Sequence, residues 1–140
     1  MRLQPLRRLV ISLILLIAAG AAGCASRPPG TVALSFYMRN DSQEDYFYQF
    51  RAAGQTEFEG PVVNDPASAG CGWVGRAWSL IVTRGERAPD PGDPIEVQVG
   101  AAELGNRDPV AVSLSIDAAG RVVVDEGVPD WWDSDIQRCP

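Results

Sequence analysis

The chain is 140 residues long, with eighteen carboxylates against twelve arginines, no lysine and no histidine, for a formal charge of −6. That balance excludes a nucleic-acid partner, because phosphate contacts need a basic footprint. Without histidine there is no Ser-His or Cys-His pair and no histidine metal ligand, and without lysine there is no Schiff base or Ser-Lys dyad.

Residues 1–23 begin with Arg2, Arg7 and Arg8, pass into an apolar run from Leu9 to Ile17, and end in small residues. The run is short for a bilayer span, which takes about 20 apolar residues. Charge, apolar run and small residues in that order make an export signal. Ala21, Ala22, Gly23 and Cys24 resemble the lipobox of bacterial lipoproteins, with Ala21 where that family favours leucine. The resemblance implies cleavage before Cys24, a diacylglycerol on its thiol, and a protein held on the exported side of a cell membrane or outer membrane. A thiolate at the membrane surface suits a thioether-linked lipid. The rest of the 24–30 segment reads as a tether, since Pro28, Pro29 and Gly30 disfavour both helix and ladder. Such a spacer reaches roughly 20 Å at ~3.3 Å per residue.

Residues 31–140 make a single β-domain of a size that buries a modest core. Once Arg2, Arg7 and Arg8 leave with the signal, nine arginines face the same eighteen carboxylates and the charge falls to −9. This argues against docking on anionic headgroups beyond the anchor itself. The first strand is "TVALSFYMRN", with Val32, Leu34, Phe36 and Met38 on one face and Ala33, Ser35, Tyr37 and Arg39 on the other. The polar stretch "NDSQED" is a turn, and "YFYQFR" after it sets Tyr46, Tyr48 and Phe50 on one side. These two strands are expected to pair as a hairpin. A weaker strand lies at 56–63, interrupted by Gly60 and Pro61. Alternation then marks "AWSLIVTR" (Trp78, Leu80, Val82), "PIEVQVGAAE" (Ile95, Val97, Val99) and "VAVSLSID" (Val110, Val112, Leu114, Ile116). A short loop from Asp117 to Gly120 joins the last of these to Val122–Val124, with glycine suited to its left-handed position. No segment after the signal has a helical period. The pattern predicts an all-β fold, a small antiparallel β-sandwich of about six or seven strands. An immunoglobulin-like sandwich is one form of it, and a small barrel is the alternative.

With Cys24 assigned to lipid, Cys71 and Cys139 remain as an even pair in an oxidising compartment, and are expected to form a disulfide that pins the C-terminal tail. Two cysteines without histidine make a poor zinc set; no metal and no cofactor is expected. Trp73 or Trp78, beside Cys71, is a candidate to pack on a buried bridge. The acidic tail "DEGVPDWWDSD" lacks the spacing of a calcium loop and reads as solvated. Trp131 and Trp132 are adjacent, and in an extended chain neighbours face opposite ways. One ring, expected to be Trp131, would plug the sandwich, leaving the other near solvent as a stacking platform. The sequence therefore predicts a non-catalytic, lipid-anchored envelope domain with a structural or protein-binding role. The alternative is a carbohydrate-binding module using the exposed tryptophan, its partner an envelope glycan in place of an envelope protein.

Overall fold

The computed structural model describes residues 26–64 and 67–132. Eight strands form two four-stranded sheets packed face to face. The first sheet runs β4 (Ser68–Gly75), β1 (Thr31–Asn40), β7 (Val110–Ile116), β8 (Val122–Glu126). The second runs β3 (Gln55–Val62), β2 (Tyr46–Ala52), β5 (Ser79–Arg84), β6 (Val97–Gly100). Neighbouring strands are antiparallel except β1 and β7, which run parallel with Leu34 opposite Val110 and Asn40 opposite Ile116. The sheets do not close on each other, so the fold is a sandwich and not a barrel.

The core forms where the period-two pattern points it. Val32, Leu34 and Phe36 of β1 and Val110, Val112, Leu114 and Ile116 of β7 face Phe50, Leu80 and Val82 of the other sheet. Phe50 is fully buried and lies edge-on to Phe36 at 4.8 Å, Trp78 at 5.7 Å and Phe58 at 6.5 Å between centroids. Aromatic rings in this arrangement add to the area they remove from water.

Three expectations need correction. β1 and β2 are not a hairpin: β1 pairs with β4 and β7, and β2 with β3 and β5. The connection at 41–45 instead carries the chain from one sheet to the other, held by the buried Asn40. Its Nδ2 donates to the Glu44 carbonyl and Asn64 Oδ1, both at 2.9 Å, while its Oδ1 accepts from the Ser42 amide at 2.9 Å and hydroxyl at 2.7 Å. β4 is a further strand in a stretch, "SAGCGWVG", whose inward positions are Gly70, Gly72 and Val74. The expected strand from Ile95 begins only at Val97; Ile95 is half exposed in the loop before it, and a single helical turn, α1 (Ala101–Leu104), follows β6. The weak strand is real and sits at a sheet edge, where Pro61 costs least because its missing N–H can face outward.

The sandwich has two poles. The near pole gathers the chain entering β1, the turn between β2 and β3, the β4–β5 link and the α1 segment; the far pole gathers the other four connections.

Candidate functional site

The outer face of the first sheet is a shelf of small side chains, with Ala33, Ser35, Ala111, Ser113 and Ala69 around Tyr37. β8 ends at Glu126, where Gly127 (φ 112°) turns the chain and donates its amide to the Ala111 carbonyl at 2.9 Å. A tight turn follows, closed by the Trp132 amide on the Pro129 carbonyl at 3.0 Å. Because this segment is a turn and not an extended strand, Trp131 and Trp132 do not diverge to opposite faces. Trp132 packs edge-on against Tyr37 at 5.4 Å, and Trp131 packs edge-on against Trp132 at 6.5 Å. The Arg39 guanidinium stands 6.0 Å from the Trp131 ring centre and forms an ion pair with Asp41 at 2.8 Å.

Neither ring plugs the sandwich. Both are half-buried, and Tyr37, an outward residue, is covered as a result. The core tryptophan is Trp78, 2 % exposed. Trp132 is the ring set against the sheet: its indole Nε1 is buried with no hydrogen-bond partner among the described residues. The cluster therefore has an inner ring that anchors and an outer ring beside a guanidinium, an arrangement fit for stacking a planar or pyranose face.

Cys71 lies on this same outer face, exposed and opposite Ser35 in the ladder, so neither Trp73 nor Trp78 packs on a buried bridge. Cys24 and Cys139, with the acidic tail beyond Trp132, lie outside the described residues. Among the described residues no three cysteine or carboxylate side chains are grouped to hold a metal, and no helix is long and apolar enough to cross a membrane.

A second constellation, missed in the sequence, closes the near pole. The Arg27 guanidinium donates to the Thr31 carbonyl and to the Asp108 carboxylate, and lies 5.6 Å from the Trp73 ring centre. Asp108 also accepts the Ala33 amide at 3.2 Å, and Arg76 approaches it at 3.7 Å. Hydrogen bonding from Arg27, then from the Ala33 amide, holds the Asp108 carboxyl below its ordinary value. The tether is thus not a free spacer through residue 30: from Arg27 onward it is docked on the fold. Only the pair of Arg27 with a carboxylate 81 residues away shows this, and no local pattern signals such a pair.

Two further hollows lie on the surface. Between the edge strands β3 and β4 an apolar cavity of about 60 Å³ is lined by Leu34, Phe36, Tyr48, Phe50 and Phe58, and Gly70 brings no side chain to it. Over the second sheet, a groove of about 380 Å³ lies between Gln49, Arg51, Thr56 and Ile81 and the loop carrying Asp90 and Asp93. It has no aromatic platform. No protein-family model matches the chain, and no characterised protein matches its sequence.

Proposed function

We propose that this chain is an exported, lipid-anchored envelope domain that works by holding a partner and has no catalysis of its own. The observation that carries the reading is the order of charge, apolar run and Ala-Ala-Gly-Cys, with a folded domain beginning directly after it. A lipid-bearing Cys24 would place the sandwich at the membrane surface on the exported side. The lack of histidine and lysine leaves it without the usual nucleophile and base pairs. Replacing Cys24 with serine tests the anchor: the protein is expected to move from the detergent phase to the soluble exported fraction. Unchanged membrane retention overturns the reading.

A disulfide between Cys71 and Cys139 belongs to the same proposal. The tail is already led onto the face of the sheet where Cys71 stands. Trp132 packs on Tyr37, whose ladder partner is Ala69, two residues from Cys71. The seven residues from Trp132 to Cys139 reach about 23 Å when extended, more than this path needs.

The runner-up is glycan binding at Trp131. Its support is the outer position of that ring, stacked on Trp132 and flanked by Arg39. Envelope glycan fragments should then shift the tryptophan emission of the parent and not of Trp131→Ala. An unshifted parent spectrum leaves the protein-binding reading alone.

A further inference from the structure

In residues 24–140 eighteen carboxylates stand against nine arginines, so a guanidinium rarely lacks a partner. Among the described residues every arginine but one has a carboxylate within 4.0 Å. The exception is Arg51. It follows the inward Phe50 on β2, so its side chain stands exposed on the outer face of the second sheet, where Nη2 donates to the Gly54 carbonyl at a long 3.4 Å. The carboxylates around that face are engaged elsewhere. Glu59, opposite Gln49 in the ladder, accepts from the Gln49 Nε2 at 2.8 Å. Asp90 and Asp93 are held within their own loop, Asp90 by Arg87 at 2.8 Å and Asp93 by the Asp90 amide at 2.9 Å.

Arg51 also stands at a junction. Together with Ile81 it lines both the groove of about 380 Å³ beneath the 89–95 loop and a hollow of about 270 Å³ that continues toward Ala53 and Ala77. At the other end of the groove, Pro89 and Asp93 are shared with a third hollow, of about 420 Å³, beside Arg84. The three make one channel along β5. At ~3.3 Å per residue, the path from Ala77 to Arg84 is roughly 23 Å, the reach of about seven extended residues. Ile81 forms the floor, and Ile95, 49 % exposed, stands in the wall with Pro89 and Pro91. Between these apolar groups lie the amides and hydroxyls of Gln49, Thr56, Ser79 and Gln98. Apolar contacts interleaved with hydrogen-bonding groups suit a peptide, and the channel has no ring for a sugar to stack on.

We propose, resting on the partner-holding reading and not on the lipid anchor, that this channel takes an extended peptide segment of a partner protein, with an acidic side chain of that segment seated on Arg51. A guanidinium offers paired N–H donors that a carboxylate accepts two at a time. None of the described carboxylates occupies this one. Small or apolar residues on either side of the acidic one lie over Ile81 and against Ile95, and the Ser79 and Gln98 side chains face the peptide backbone.

The test uses the full exported chain in detergent micelles at about 0.15 M salt, where long-range repulsion is screened. Three pools of capped heptapeptides are offered to it, with glutamate, glutamine or lysine fixed at the centre and the same mixture of alanine, serine, valine and leucine elsewhere. Peptides that co-elute with the protein are counted by mass spectrometry. The glutamate pool is expected to be retained several-fold over the glutamine pool, and over the lysine pool too, although the domain's net negative charge favours lysine. Arg51→Gln should level glutamate with glutamine, and Arg51→Glu should turn the preference to lysine; both replace an exposed side chain. Adding the glutamate pool to the parent should shift the amide signals of Gln49, Arg51, Ile81 and Gln98. Equal retention of glutamate and glutamine by the parent overturns the proposal, as does a preference that survives Arg51→Gln, or shifts confined to the Trp131–Trp132 turn. Each of these leaves the partner-holding reading standing on another face. Peptides recovered cleaved overturn that reading itself, and this proposal with it.

Discussion

Trp131 and Trp132 share a turn and a face of the sheet, yet their surroundings differ enough to give them different consequences. Trp132 lies against Tyr37 with its Nε1 buried, and Trp131 lies on Trp132. Truncating a fully buried aromatic to alanine costs about 3–5 kcal/mol, and a half-buried ring on an outer face should cost less. Trp132→Ala is expected to lower stability by about 1–2 kcal/mol, with Trp131→Ala within about 0.5 of the parent; separate denaturant midpoints check the difference. The pair as such was legible in the sequence, but neither ring lies inside the sandwich: both sit on its outer face. Parity arguments need a strand that continues, and Gly127 at φ 112° stops β8 before the tryptophans are reached. Asp108 gives a second prediction at this scale. Its carboxyl is held below the ordinary 3.8 in the folded protein, so the unfolded chain takes up the proton first. Its contribution is complete above the unfolded value and is lost as pH falls through the folded one. Asp108→Asn should therefore destabilise at neutral pH and flatten the acid limb of the stability curve below about pH 4; parallel urea melts across that range would show it. An unchanged limb would assign the acid sensitivity elsewhere, Asp117 first, whose carboxyl is held down by the Arg121 and Ala119 amides.

Elements differ in how plainly their residues announce them. β7 was legible outright because Val110, Val112, Leu114 and Ile116 are all apolar, all β-favouring and all inward. β4 was not, because two of its inward positions are glycine, and glycine carries no pattern. The structure supplies the reason for one of them: a Cβ on Gly72 would meet the Phe58 ring at 2.6 Å, so the strand gives up a side chain to admit an aromatic from the opposite sheet. Gly72→Ala should overpack this edge and cost about 1–3 kcal/mol, read as a lowered melting temperature. The hairpin expectation failed for a related reason. A polar five-residue link suits a hairpin and an arch equally, and what decides between them is the non-local partner of Asn40, 1 % exposed yet bonded to the 42–44 turn and to Asn64. Its amide satisfies the buried Ser42 amide and hydroxyl and the partly buried Glu44 carbonyl, so Asn40→Ala strands several groups at once. We expect a loss of about 2–3 kcal/mol, larger than for any exposed residue of the same loop. Equal losses at Asn40 and Glu44 would show that the arch is held by the strands alone.

The whole molecule is decided by what ties its parts together. β8 and β4 are opposite edges of the first sheet. The tail leaves β8 at Gly127 and has already reached β1 at Trp132, on the face where Cys71 stands on β4. A Cys71–Cys139 bridge would therefore staple the sheet across its full breadth, roughly 14 Å for three strand spacings. It would also close a loop long enough for the chain-entropy model to give about 4 kcal/mol, a large share of the 5–15 kcal/mol typical of a domain. The expected consequence is specific to the first sheet. Reduction should lower the denaturant midpoint and speed amide exchange in β4 and β8 more than in β5, whose two neighbours are both in the other sheet. Cys139→Ser should reproduce the reduced protein's midpoint and gain nothing further from reductant. Native, unreduced protein should resist alkylation at both positions. Ready alkylation at Cys71 would sink the bridge, and the tail's hold on the sheet would then rest on Trp132 alone. In that case Trp132→Ala, and not reduction, should be the change that releases exchange at β8.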